Sequence, residues 1–122
     1  VPKVRLGAVA LDTDAPAVLA TFWSELLGGR ITFSSDDFIS IDAGSIRLNV
    51  HRVSGHRAPS WPDGSTPKQM HLDIEVHDLE AAEGHALRLG ARRADAQPAP
   101  DRWRVLLDPA GHPFCLTTRF PG

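Results

Sequence analysis

His71-Leu72-Asp73-Ile74-Glu75-Val76-His77-Asp78 is the stretch from which the fold is read. Polar and apolar residues alternate with period 2, the pattern of a β-strand with one face buried. Leu72, Ile74 and Val76 take the buried face. His71, Asp73, Glu75 and His77 take the other, with neighbours roughly 6.6–6.8 Å apart. Two imidazoles and two carboxylates on one strand face are the donors of metal binding and proton transfer. Asp78 then reads as a helix N-cap, and Gly90 ends the helix that follows.

Working outward, residues 68–77 form the whole strand, and Leu79, Ala82, Ala86, Leu87 and Leu89 form the inner stripe of the helix. Residues 91–94 read as a weak short strand and 102–107 as a firmer one. Asp108-Pro109-Ala110-Gly111 is a turn, and 113–119 is the last strand. The first half of the chain has the same order. Residues 4–12 read as a strand, with Thr13 or Asp14 capping a helix that tolerates Pro16 in its first turn. Val18, Leu19, Phe22, Trp23, Leu26 and Leu27 make its stripe, and Gly28-Gly29 ends it. Short strands follow at 31–34, 38–42 and 46–53. Leu27-Gly28-Gly29-Arg30 is echoed by Leu89-Gly90-Ala91-Arg92, and Ile46-Arg47-Leu48 by Phe114-Cys115-Leu116. Each half reads βαβββ. The expected organisation is one α+β domain over 1–122, with a module at 3–53, a Pro/Gly/Ser-rich linker at 54–67 and a second module at 68–120.

Composition narrows the function classes. The hydrophobic content of 42% supports a compact core, and the net charge of −2 leaves no general footprint for nucleic acid. A single cysteine, Cys115, excludes an intramolecular disulfide and a multi-cysteine zinc motif. It suits a reducing, cytoplasmic setting. No apolar run approaches a membrane span, and no Gly-rich phosphate loop or nucleophile elbow is present.

The doubled βαβββ order resembles the vicinal oxygen chelate superfamily. Phe22-Trp23, Leu26-Leu27-Gly28, residues 70–76, Leu89-Gly90-Ala91-Arg92 and Asp108-Pro109-Ala110-Gly111-His112-Pro113-Phe114-Cys115-Leu116 carry this resemblance. Those residues look like its glyoxalase-like and bleomycin-resistance-like members. The resemblance implies two curved sheets enclosing a cavity between the modules, helices outside, and a homodimer. It also implies metal ligands from four strands. Seven residues before Asp78 stands His71, a match; seven before Asp14 stands Gly7, which has no side chain. The last-strand positions carry Arg47, a cation, and Cys115, which ligates only as a thiolate. No cofactor is therefore expected.

Strand alternation assigns the cavity wall. Val9 and Leu11 supply apolar contact, and Arg47, Asn49, His51, Cys115, Thr117 and Arg119 supply polar positions. Arg47 reads either as an anchor for a ligand anion or as the partner of Asp73 or Glu75. His71 reads as a polar anchor or general base, or as a core histidine held by a carboxylate, with Glu75 the next candidate base. Asp73 and His77 fall nearer the helix end of the face. Trp61 either covers a sheet edge or lids the pocket. His51, His71 and Glu75 form an alternative ligand trio. The expected function is binding or sequestration of a small amphipathic organic molecule, or metal-free acid–base chemistry by His71 and Glu75. Its rivals are a metal-dependent lyase, isomerase or oxygenase with a rearranged ligand set, and an interaction module with no ligand.

Overall fold

The computed structural model describes residues 2–118. The first unit, residues 1–56, holds β1 (Val9–Thr13), α1 (Pro16–Leu27), β2 (Arg30–Ser34), β3 (Phe38–Asp42) and β4 (Arg47–Arg52). The second, residues 57–122, holds β5 (Leu72–Glu75), α2 (Leu79–Leu89), β6 (Arg92–Arg93), β7 (Trp103–Leu107) and β8 (Pro113–Thr117). The βαβββ order occurs twice, as the sequence predicts. Each unit has one four-stranded mixed sheet, ordered β1-β4-β3-β2 and β5-β8-β7-β6. In each, the first strand runs parallel to the last and the other pairings are antiparallel.

Register explains each core. Paired residues share a sheet face, so Val9 with Leu48, Leu11 with Val50, and Ile41 with Leu48 form one apolar face. α1 packs on β3 and β4 and buries Leu19, Ala20, Phe22 and Trp23. The Phe22 and Trp23 rings meet edge to face at 5.2 Å. In the second unit Leu72 pairs with Phe114 and Ile74 with Leu116, and Leu106 adds to the face that α2 covers. Charge also ties α2 down. Arg104 on β7 lies 2.8 Å from Glu80 and 3.6 Å from Glu83, and Arg93 also bonds Glu83.

The structure corrects several boundaries. The first strand begins at Val9, not residue 4, because its ladder with β4 starts at Leu48; Val4 and Leu6 stay exposed. The N-cap of α1 is Ala15, which makes no side-chain cap. The Thr13 hydroxyl accepts the Ala15 N–H at 2.9 Å, and Asp14 does not cap the helix. Asp78 does cap α2, accepting the Ala81 N–H at 3.1 Å. The predicted strand 68–77 contracts to β5, so His71 lies one residue before the ladder. Val18 and Leu87 fall at the exposed margins of their stripes. Arg119, predicted on the last strand, lies outside the described residues. Among the described residues no helix is long and apolar enough to cross a membrane.

Candidate functional site

The face of the second sheet turned away from α2 is built in rows. Asp73, Cys115 and Val105 form one row across β5, β8 and β7, and Glu75, Thr117 and Trp103 form the next. His71 sits two residues before Asp73 and shares its face. A concavity of about 530 Å³ opens on this face. His71, Asp73, Cys115 and Thr117 are its polar floor, with Lys68 beside them; Trp61, Trp103, Val105, Pro98 and Pro113 are its apolar lining.

Two local devices hold the walls. The loop carrying Trp61 is closed on itself: the Ser60 N–H donates to the Thr66 carbonyl, and the Thr66 N–H donates to Ser60 Oγ at 3.0 Å. It rests on the turn between β7 and β8, where Gly111 has φ +88° and a Cβ would overlap that of Ala58. Buried Asp108 shapes that turn, its Oδ1 accepting the Ala110 and His112 N–H groups at 2.9 Å each. The segment carrying Pro98 is fixed by Gln97. Its amide donates to the Ala94 and Val105 carbonyls at 2.9 and 2.7 Å and accepts the Val105 N–H at 3.0 Å. The side chain thus takes the place of a strand neighbour for β7.

On the floor, His71 Nε2 lies 3.1 Å from Asp73 Oδ1. Burial pushes the Cys115 thiol up to about 11, and the adjacent Asp73 carboxylate adds to the shift. At neutral pH Cys115 is therefore a thiol, not an activated nucleophile. One donor atom each from His71, Asp73 and Cys115 lies within 4.8 Å of the others.

The predicted residues are distributed unequally. His71, Trp61 and Cys115 line this concavity. Glu75 shares the face through its pairing with Thr117 but is exposed and is not part of the lining. Asp73, placed by sequence too near the helix end, is instead the carboxylate in contact with His71. Lys68, Pro98, Trp103, Val105 and Pro113 were not singled out by sequence. Trp103 and Val105 could have been found by extending the alternation argument to the seventh strand.

In the first unit the expected face of β1 is off by one. Val9 and Leu11 pair with Leu48 and Val50 and so lie on the α1 face; Ala10 and Asp12 lie beside Asn49 and His51. The cause is the cap: seven residues before Ala15 stands Ala8, not Gly7. Neither can ligate a metal. Asn49 accepts the Ser40 hydroxyl at 2.8 Å, Arg47 donates to Ser40 Oγ at 3.5 Å, and His51 meets Phe38 edge to face at 4.8 Å. Arg47 also lines a separate concavity of about 320 Å³ with Arg5, Asp42 and Ser45.

The profile of a family described as a glyoxalase-like domain matches residues 8–117. No curated protein matches the sequence. Among solved structures, a fosfomycin resistance protein from Mesorhizobium loti is 15% identical with a TM-score of 0.74, the match covering 95% of this chain and 92% of that one. A glyoxalase family protein from Enterococcus faecalis is 20% identical, TM-score 0.69, covering 93% and 96%. A bleomycin-binding protein from Streptomyces verticillus, solved with copper(II)-bleomycin, is 24% identical, TM-score 0.62, covering 98% and 100%. These likenesses concern the fold.

Proposed function

Because this chain belongs to the glyoxalase-like domain family, we propose that it binds a small amphipathic organic molecule in the concavity of its second unit. The observation that carries the reading is the lining: two indoles, two prolines and a valine around a floor of imidazole, carboxylate, thiol and hydroxyl groups. A volume of about 530 Å³ suits a drug-sized molecule. Trp61 and Trp103 supply rigid apolar area, while His71, Asp73 and Lys68 orient polar groups. The bleomycin-binding protein of the same fold supports the idea that such a scaffold holds a drug-like molecule.

Binding or sequestration fits the floor better than turnover, since the Cys115 thiol is not activated. Metal-free acid–base chemistry is the catalytic form of the same reading, with His71 as base and Asp73, in place of Glu75, holding its imidazole. A superfamily metal drawn from four strands does not fit, because Ala8 and Arg47 offer no donor. A homodimer in the cytoplasm completes the proposal.

The test is a fluorescence titration against amphipathic organic molecules. Trp61 and Trp103 line the concavity and Trp23 is buried in the core, so a ligand changes part of the emission. Saturable binding is expected. His71→Ala should weaken it about tenfold or more, the loss of one charge-assisted hydrogen bond of roughly 1.5 kcal/mol, with little change in the unfolding midpoint. Equal loss of stability and affinity would make His71 a structural residue. Size-exclusion chromatography with light scattering tests the dimer.

A further inference from the structure

We propose that Asp63-Gly64 is a self-modification site, where the chain isomerises to an isoaspartyl linkage and so displaces the loop that carries Trp61. It is the single Asp-Gly step in the sequence. Both residues are exposed. Among the described residues no partner holds the Asp63 carboxylate or the Gly64 N–H. Aspartates at the other turns and at the α2 cap differ. Asp42 Oδ1 accepts the Gly44 N–H, Asp78 Oδ1 that of Ala81, and Asp108 Oδ1 those of Ala110 and His112. Such bonds hold a carboxylate in place against the backbone. Asp108 is also followed by Pro109, whose nitrogen has no hydrogen to lose. Asp63 combines a free carboxyl with a following N–H that no side chain shields, because Gly64 has no Cβ.

The chemistry balances with water alone. The Gly64 nitrogen attacks Cγ of the protonated Asp63 carboxyl. An N–Cγ bond forms, the C–OH bond breaks, and the hydroxyl leaves with the amide proton as one water. The product is a five-membered cyclic imide. Water then opens that ring at one of its two carbonyls. Opening at Cγ restores aspartate. Opening at the main-chain carbonyl leaves Gly64 joined through Cγ, so the backbone gains one methylene and Asp63 carries a free α-carboxylate. An enzyme that esterifies this α-carboxylate is the kind of partner the modified site fits.

Closure of the loop turns the extra methylene into movement. Ser60 and Thr66 are clasped by two hydrogen bonds. Gly64 lies against Ser60, where a Cβ would come within 2.7 Å of Ser60 Cβ and Oγ. With the ends pinned and that flank blocked, about 1.5 Å of added chain is taken up by residues 61–65. Trp61 belongs to that span and to the wall of the concavity. Isomerisation therefore shifts the wall and leaves the floor on β5 and β8 as it is. The inference stands on the loop's own covalent chemistry and does not depend on a bound organic molecule.

The experiment ages the whole protein in neutral buffer made with heavy-oxygen water, then digests it with trypsin in ordinary water. Residues 58–68 form one tryptic peptide in which Asp63 is the single aspartate. That peptide should take up heavy oxygen. A growing fraction of it should accept a methyl group from S-adenosylmethionine in the presence of an isoaspartyl methyltransferase. Asp63→Asn should reach the same ring faster, releasing ammonia in place of water. Asp63→Glu should form no such linkage, because its longer side chain closes a larger and less favoured ring. Acrylamide quenching of tryptophan emission should change as the wild type ages and stay constant in Asp63→Glu. Absence of label and methyl acceptance in the folded wild type would overturn the proposal, whatever the unfolded chain does. Isoaspartate formed with quenching identical to that of aged Asp63→Glu would overturn the displacement of the Trp61 loop.

Discussion

The two units share one topology and one register logic, yet their helix-free faces have opposite chemistry. In the first, polar groups are spent on each other: Ser40 donates to Asn49 across their row and accepts from Arg47, and His51 rests on Phe38. In the second, the corresponding rows carry His71, Asp73 and Cys115 at the floor of a concavity. The contrast teaches that the repeat is a structural unit whose apolar face is duplicated and whose polar face is not.

The strongest challenge to that contrast lies in the cores. Leu48 and Leu116 are both fully buried at echoing positions. Leu→Ala at either should cost about 2–5 kcal/mol, read by urea unfolding. A cost at one site several-fold below the other would break the equivalence of the cores. Next comes Gly111→Ala, which combines a positive φ with overlap against Ala58. It should cost roughly 1–3 kcal/mol and alter tryptophan emission by moving the loop that bears Trp61. An unchanged spectrum and midpoint would show that the loop does not rest on this turn.

Asn49→Ala removes the acceptor of the Ser40 hydroxyl. The expected loss is about 1 kcal/mol of stability, with organic binding unaltered. A binding defect would mean that the first unit's face is not purely structural. The smallest effect concerns Glu80, whose carboxyl is held below its ordinary value by the hydrogen bond and charge of Arg104. The folded state then binds fewer protons than the unfolded one, so the pair stabilises above the ordinary carboxylate range. That contribution fades as pH falls through the lowered folded value. Glu80→Gln should slightly flatten the acid side of the stability profile, and a steeper acid side would contradict the pairing.

Much of the fold was legible because its signals are local. Alternation over 71–77, the glycines after each helix and the Asp108–Gly111 turn each act within a few residues. The site was legible only in part. His71, Trp61 and Cys115 were singled out, but the pairing of Asp73 with Cys115 depends on the register of the parallel β5–β8 ladder, which joins strands about forty residues apart and has no local signal. The β1 face was misread for a related reason. Both Val9 and Ala10 are apolar, so composition does not say which points inward, and the answer rests on a cap displaced by one residue. Gln97 was invisible because a glutamine in a proline-rich segment has no pattern that marks it as a surrogate strand partner.

The self-closed loop around Trp61 has an evolutionary corollary. The floor donors sit on or beside a hydrogen-bonded ladder, where an insertion would shift every neighbour. The Trp61 wall hangs from a separate clasp between Ser60 and Thr66. Between those two points Trp61, Asp63 and Ser65 can be exchanged while the clasp and the ladder stay as they are, but Gly64 must be kept, since its φ is +137° and a Cβ there would meet the Ser60 side chain. The concavity thus combines a fixed floor with a replaceable cover, and a graft confined to residues 61–65 that keeps Gly64 is the economical route to changing its shape.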